Sequence, residues 1–414
     1  MKVLRLNAYY LPEKTASTHL FIDMNTGFEQ AGIYYTIITP IPSRGIDKKT
    51  REYYTKKTIE KTNNGYITIK RFPLITEKSN PVLRAIRYFI MNLKEYQIAI
   101  KENDIDLVFS SSTPPTQGLL SALVAKKLSK KYKKKIPFVF NLQDVFPDSL
   151  VNAGMTKKGS LSWKIGRWIE DYTYNSADKI IVISKGFKNN LIQKGVAKDK
   201  IEVIPNWIDL DTVIPVERKN NKLIEELSLD LNKFIIVYAG NFGAAQGADI
   251  ITGVARKLQY IEDIQFVIFG GGHYFEKVKK DMMNLKNVTI NKLLSQDRVS
   301  EVYSLGDIAL ITCKKGTGNS GMPSKLWSIM ACNTQIIASF DLNSDLDNIV
   351  TKSGAGVCVE PENIERLAEE ILRTYYKRTQ HKRNLRDYVE KNASKNICVQ
   401  RYIDIIKEEI IKGY

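Results

Sequence analysis

Short apolar runs alternate with segments of helical spacing along almost the whole chain, and this alternation limits the possible folds more than any other feature. In the first half the runs are KVLRLNA, YYTIITP, YITIKRF, DLVFSSS, PFVFNLQ, KIIVIS and KIEVIPN. In the second half they are FIIVYAGN, IQFVIFGGG, VTINKLL, DIALITC, TQIIASFD and GAGVCVEP. Most lack a polar alternation, as expected of parallel strands buried on both faces. Intervening stretches such as HLFIDMNTGFEQAG place apolar residues at helical spacing and stop at a glycine, here Gly32. The pattern predicts parallel sheets covered by helices on both faces. At 414 residues the chain is too long for one such core. It therefore divides into two Rossmann-like, doubly wound α/β domains that meet near Ile208–Val216 and face each other across a cleft. The segment from about Asn363 to Tyr414 reads as helical.

Ligands of open α/β sheets lie outside the carboxyl ends of the strands. Three glycine loops stand at such ends in the second half. They are Gly240-Asn241-Phe242-Gly243-Ala244-Ala245-Gln246-Gly247, then Gly270-Gly271-Gly272, then the stretch from Gly316 to Met330, GTGNSGMPSKLWSIM. In the third, glycines permit a sharp turn and a close approach of backbone to ligand. Pro323 suits the first turn of a helix, and Lys325 falls within that turn, an arrangement suited to phosphate. Taken alone, the stretch is equally a tight strand–helix turn with a surface lysine. Three loops on one sheet edge favour a phosphate-bearing ligand. No Gly-Lys pair occurs, which excludes a Walker A loop. GTGNSG fits G-x-G-x-x-G, with Asp341 at dinucleotide spacing, so an NAD-dependent oxidoreductase stays as an alternative. Against it, a dinucleotide fold normally opens with this unit, whereas here the unit comes late.

The net charge of +17 is unevenly placed, with almost all of the excess before residue 211. A basic half points to an anionic partner, either nucleic acid or an anionic membrane surface. No nucleic-acid recognition motif accompanies the charge, so no nucleic-acid partner is expected. The segment Pro81 to Asn103 places Leu83, Ile86, Ile90 and Leu93 along one face, with Arg84, Arg87, Tyr88, Phe89 and Met91 around them. It reads either as a packed helix or as an interfacial helix resting on anionic lipid. The basic run at 126–135 reads as a solvated helix end. No apolar run is long enough for a spanning helix, and the N-terminus reads as a strand start and not as a secretory signal. The four cysteines are widely spaced, which predicts a reduced, cytoplasmic protein without structural zinc. Asp209-Leu210-Asp211 and Asp345-Leu346-Asp347 spell DxD but read as surface acids.

Nearly the whole chain resembles the GT-B-fold glycosyltransferases of family four, and most closely the bacterial branch that builds capsule and O-antigen sugars on a lipid carrier. The resemblance rests on Ala177 to Ser184 with Gly186-Phe187 and on Ile204-Pro205-Asn206-Trp207-Ile208-Asp209, where the family has IPNGVD. It continues in Tyr238 to Gly243 with Gln246-Gly247, in Phe269 to Gly272, and in Pro323-Ser324-Lys325 with Met330-Ala331. It implies transfer of a sugar from a nucleotide sugar, with retention and without a resident metal or cofactor. The implied organisation is an N-terminal acceptor domain over 1–210, a donor domain over 211–390, and a helix over 391–414 crossing back to the first. Donor-binding positions carried over are Gly240, Asn241, Gln246, Gly247, Gly270, Gly271, Gly272, Leu294, Met322, Pro323, Ser324 and Lys325. Asp144, His19 and Lys325 are the implied catalytic groups, with Ser112, Thr113, Gln143 and Asp144 on the acceptor side. A nucleotide-sugar epimerase of the same fold is the other reading.

Several positions depart from the family pattern. Asn241 and Gln246 stand where many members carry Arg and Lys. Ser320 and Ser328 replace two glutamates, Gln143 replaces a histidine, and Asn333 replaces a glycine. Lys325 is then the expected cation for the donor diphosphate. The expected partners are a UDP-sugar, a polyprenyl-diphosphate-linked saccharide and the inner face of the cell membrane.

Overall fold

The computed structural model describes residues 1–13, 18–76, 81–152, 156–318, 321–377 and 384–413. The chain forms two compact units, one of Met1–Pro205 with Cys398–Tyr414 and the other of Asn206–Ile397. Each is a parallel α/β sheet with helices between its strands.

The first sheet contains β1 (Lys2–Leu6), β2 (Tyr34–Pro40), β3 (Ile59–Thr62), β4 (Ile67–Phe72), β5 (Leu107–Ser111), β6 (Phe138–Leu142), β7 (Lys179–Val182) and β8 (Ile201–Val203). Their order is β3-β4-β2-β1-β5-β6-β7-β8, parallel except for β3 against β4. The strand order reverses between β1 and β5, so the loops after these two strands open a crevice at the carboxyl edge. Strand β3 was not expected from its composition, because the segment IEKT carries only one apolar residue. A turn creates it: Asn63, Asn64 and Gly65 all adopt positive φ, and the chain folds back into an antiparallel pair. Asparagine followed by glycine is the residue pair that signals such a turn.

The second sheet contains β9 (Phe234–Asn241), β10 (Ile264–Gly271), β11 (Val288–Lys292), β12 (Ile308–Thr312), β13 (Gln335–Ser339) and β14 (Gly356–Val359). All pairs are parallel, in the order β11-β10-β9-β12-β13-β14. The reversal falls between β9 and β12. It therefore places the loop after Gly240 and the stretch after Gly316 beside each other. Strand β9 is buried on both faces from Phe234 to Tyr238, which explains its unbroken apolar run.

The helix Pro81–Ala99 packs in an unexpected sense. Arg87, Met91, Glu95 and Ala99 are buried, while Leu83, Ile86, Phe89 and Leu93 are exposed. Arg87, expected as a basic flank, is thus an interior residue, and Phe89 replaces half-buried Ile90 on the open stripe.

The last helix, Lys395–Lys412, carries the chain back to the first unit at Cys398. Tyr402 donates its hydroxyl to Asn141 Oδ1 at 3.2 Å and sets its ring against Phe109. Val399 presses on the helix Thr18–Gln30 at Gly27, where a Cβ would lie 2.3 Å from Val399 Cγ1. A branched side chain cannot yield as a long flexible one would. Gly27→Ala should therefore destabilise the first unit by about 1–3 kcal/mol through overpacking. A lower thermal midpoint checks this, and an unchanged midpoint contradicts the packing.

Candidate active site

In the second unit the candidate groups gather at the β9–β12 reversal. Lys325 is the first residue of the helix Lys325–Ala331; Ser324 precedes it as cap, and Pro323 lies outside the helix. The residue is half-buried, and its ammonium turns inward to 4.3 Å from the Tyr238 ring centroid. A Cβ on Gly240 would stand 2.4 Å from Lys325 Nζ, so glycine is needed there to admit the cation. Among the described residues no carboxylate pairs with it, and burial alone lowers its pKa to about 8. An ammonium aimed at a ligand edge without a counter-charge is a seat for an anion.

The surrounding loops are fixed by mutual contact. Tyr238 donates its hydroxyl to the Asn241 carbonyl at 3.2 Å. The Asn241 side chain lies across Gly272 and Gly243, where added Cβ atoms would fall 1.8 Å from Oδ1 and 2.8 Å from Nδ2. Gln246 Oε1 covers the other side of Gly243, at 2.5 Å from a Cβ there. Gly247 adopts φ +53° and packs directly on the Cys313 carbonyl, tying the β9 loop to the end of β12. The Lys314 amide donates to the Ala245 carbonyl at 2.9 Å, and the Thr317 hydroxyl contacts the same carbonyl at 3.1 Å.

Asp341 decides what the glycines of the third loop do. Its carboxylate accepts from the Gly316 amide at 2.9 Å and from the Gly318 amide at 2.8 Å. These amides are committed within the protein, and the acid is committed to them. The dinucleotide reading, which needed Asp341 for a ribose, is corrected on this point. Gly270 is buried beneath Phe242 and Phe275, Gly271 borders Leu293, and exposed Gly272 lies against Asn241. Leu294 and Met322 pack, partly buried, on the hydrophobic core.

In the first unit, buried Ser112 links two loops. Its hydroxyl accepts from the Gln143 amide at 2.9 Å and the Asp144 amide at 3.2 Å. Gln143 donates Nε2 to Asn141 Oδ1 at 2.8 Å, the atom that also receives Tyr402. Asp144 keeps an exposed face. Its carboxyl is partly buried against Ser149 and the Val145 amide, and burial raises its pKa above the usual carboxylate range. Beside it lies a cavity of about 20 Å³, lined also by Ser112, Phe146, Glu170 and Tyr174. A carboxylate of raised pKa at a strand end suits acceptance of a proton from a hydroxyl. Thr113 is exposed, and His19 is the second residue of the helix Thr18–Gln30.

Comparison with known proteins fits this arrangement. Residues 20–212 match the Glycosyltransferase Family 4 profile, and residues 219–396 match that of Glycosyl transferases group 1. The chain belongs to the family 4 glycosyltransferases, with the GT-B fold. It is 29% identical over 276 residues to WcaI of Escherichia coli K12, named as a colanic acid biosynthesis glycosyl transferase, covering 65% of this chain and 67% of that one. It is 27% identical to the glycosyltransferase WbjE of Pseudomonas aeruginosa, over 64% and 66% of the two chains. The chain thus spans about two thirds of the length of these relatives. Among solved structures, HepE of Anabaena in complex with UDP superposes with a TM-score of 0.71 at 14% identity, over 99% of this chain and 100% of that one.

The glycosyltransferase uses the remaining motif residues structurally. Asp209 pairs with Lys395 at 2.6 Å and accepts from the Asp211 amide. Asp347 accepts from the Asn343 amide at the start of the helix Asp345–Lys352. Asn333, in place of the family glycine, adopts φ +58° at the end of its helix, a conformation asparagine tolerates. Ser328 is buried; Ser320 and His381 lie outside the described residues, and His273 is exposed beside Tyr274. Tyr238 and Thr317 carry no site role in the sequence analysis, and Asp341 enters it only through the dinucleotide alternative.

Burial of the Lys325 cation has a measurable consequence. Its folded pKa lies below the unfolded value, so the unfolded chain binds the extra proton between pH 8 and 10.5. The penalty is full below pH 8 and fades as pH rises through that window. Lys325→Met should therefore raise stability at pH 7, by at most about 3 kcal/mol, with the gain vanishing near pH 10.5. Thermal midpoints across this range check the sign and the window.

Proposed function

We propose that the protein transfers a sugar from a UDP-sugar to a polyprenyl-diphosphate-linked saccharide during assembly of a cell-surface polysaccharide. The observation that carries this reading is the Lys325 ammonium between Gly240 and Tyr238, unpaired among the described residues, at the edge where a parallel sheet binds its ligand. The donor diphosphate would sit against Lys325, which would stabilise the charge that grows on the leaving group. Side chains of the β9 loop, Asn241 and Gln246, would help to orient it. Asp144 would take the proton of the acceptor hydroxyl, and His19 would border the same site. UDP in the HepE complex supports the choice of nucleotide, and the names of WcaI and WbjE support the polysaccharide setting. The donor sugar is proposed to be an N-acetylated hexosamine or deoxyhexosamine, transferred with retention. No resident metal or cofactor is proposed, because a protein cation takes the place of one at the diphosphate.

The proposed location is the cytoplasmic face of the cell membrane, with the basic first unit against anionic lipid. No helix among the described residues is long and apolar enough to cross a membrane. The exposed stripe of Leu83, Ile86, Phe89 and Leu93 on the helix Pro81–Ala99, with Arg84 beside it, supports peripheral binding. Leu161, Ile165 and Trp168 form a second exposed stripe on the helix Leu161–Ser176.

Three outcomes are expected. Lys325→Met should lose UDP binding by at least about tenfold, read by calorimetry, because a desolvated charged hydrogen bond is removed. Asp144→Asn should bind UDP as wild type does, yet lower turnover with a lipid-linked acceptor by about 100-fold. Phe89→Glu should reduce co-sedimentation with anionic liposomes while leaving the thermal midpoint unchanged. UDP binding indifferent to Lys325 would remove the basis of the reading.

A further inference from the structure

Among the described residues the first unit buries three arginines, Arg5, Arg71 and Arg87, at 0%, 5% and 1% exposure. Arg5 is accounted for by its neighbours. It donates to Asn7 Oδ1 at 2.7 Å and to the Tyr35 hydroxyl at 3.3 Å, and the Phe21 ring covers it at 4.1 Å.

The Tyr54 ring covers Arg71 at 4.4 Å, but the hydrogen bonds of Arg71 and Arg87 are incomplete. Arg71 Nη2 donates to the Leu11 carbonyl at 2.6 Å, and the nearest Glu60 oxygen is 3.7 Å away. Its Nε and Nη1 are buried without an acceptor. Arg87 donates Nε to the Ile75 carbonyl at 3.1 Å, and its Nη1 has no acceptor. Glu13 acts electrostatically on both guanidinium groups and Glu60 pairs with Arg71, but neither hydrogen-bonds to the orphaned nitrogens. Glu13 receives the Ser43 and Arg44 amides, each at 2.7 Å. Glu95, on the same helix as Arg87, is fully buried, and burial pushes its pKa up to about 8, which leaves it uncharged at neutral pH.

Both guanidinium groups flank the loop that follows β1. Arg71 holds it through Leu11, and Arg87 stands 5.8 Å from the Tyr9 ring. Exposed Arg44 lies 5.5 Å from that ring as well. The group sits at the carboxyl edge of β1 and β4, where sheets of this kind hold ligands. Guanidinium nitrogens removed from water without acceptors call for an anion, and their forked geometry matches phosphate oxygens.

We propose that Arg44, Arg71 and Arg87 form a binding site for the diphosphate of the lipid-linked acceptor, with Arg44 as the outer contact and Arg87 as the inner one. This rests on the acceptor class proposed above. The helix Pro81–Ala99 would then serve two ends of one molecule. Its open stripe of Leu83, Ile86, Phe89 and Leu93 would meet the lipid phase, and Arg87 on its other face would hold the phosphates. Displacement of Tyr9, which lies near both Arg44 and Arg87, would admit the anion to the inner contact.

The test uses the full chain carrying Lys325→Met, so that the donor seat is silent, titrated calorimetrically with inorganic pyrophosphate and with geranyl diphosphate. Geranyl diphosphate is expected to bind, with Arg44→Ala weakening it about tenfold and Arg87→Met at least as much. Tighter binding of geranyl diphosphate than of pyrophosphate supports a lipid-linked source. Equal binding of the two supports the anion site but overturns the assignment to a lipid. Absence of binding, or affinities unmoved by both substitutions, overturns the site. Arg44 is exposed, so its removal does not threaten folding, and Arg87→Lys should restore part of the affinity. UDP titrated into Arg44→Ala with Lys325 intact separates the two readings. Loss of UDP binding there would contradict separate anion sites, and retained UDP binding beside lost diphosphate binding supports them.

Discussion

The Lys325 ammonium is held over the Tyr238 ring, close against Gly240, with no carboxylate among the described residues to balance it. A cation in that position works against folding, because burial favours the neutral amine. Much of the second unit is arranged to keep it there. The β9–β12 reversal brings Gly240 and Lys325 together, and glycine at 240 leaves room for the ammonium. Tyr238 gives it an aromatic face, which is attractive to a cation but does not neutralise it. Asp341, which follows β13, is engaged by the Gly316 and Gly318 amides of the third loop. The unbalanced charge is the ground on which an anionic ligand is proposed there.

The first unit repeats the device in another form. Arg71 and Arg87 are buried with guanidinium nitrogens unsatisfied, again at the carboxyl edge of a parallel sheet. Ser112 and Asn141 hold Gln143 and Asp144 in place by hydrogen bonds, and Tyr402 from the last helix completes that network. A substitution in the final helix can therefore disturb Gln143 and Asp144 although it is distant in sequence. The two units share a plan in which rigid strands deliver polar groups to their ends and the loops between are fixed by glycine packing.

The two-sheet architecture was legible in the apolar runs because buried parallel strands leave little room for polar residues. Strand β3 was not, since its position is set by the Asn63–Gly65 turn and not by its own composition. The three glycine loops and Lys325 were also readable, because close approach restricts residue type. What each glycine does was not readable. Gly240 admits the ammonium, Gly247 packs on a carbonyl, and Gly316 and Gly318 serve Asp341. The literal G-x-G-x-x-G match concealed that last role. Arg87 was misplaced because helical spacing reveals an apolar stripe without saying whether it faces the core or the outside.

If a diphosphate seats against Lys325, whose pKa burial lowers to about 8, it should meet a partly neutral amine in mildly alkaline solution and leave it charged. The most direct measurement is calorimetry of UDP binding at about pH 8.5 in buffers of differing ionisation enthalpy. The diphosphate of UDP is already fully ionised at that pH. Uptake of a large fraction of one proton is expected on binding, fading toward pH 7, where Lys325 is already mostly charged. Binding of UDP with no proton uptake at the higher pH would contradict it.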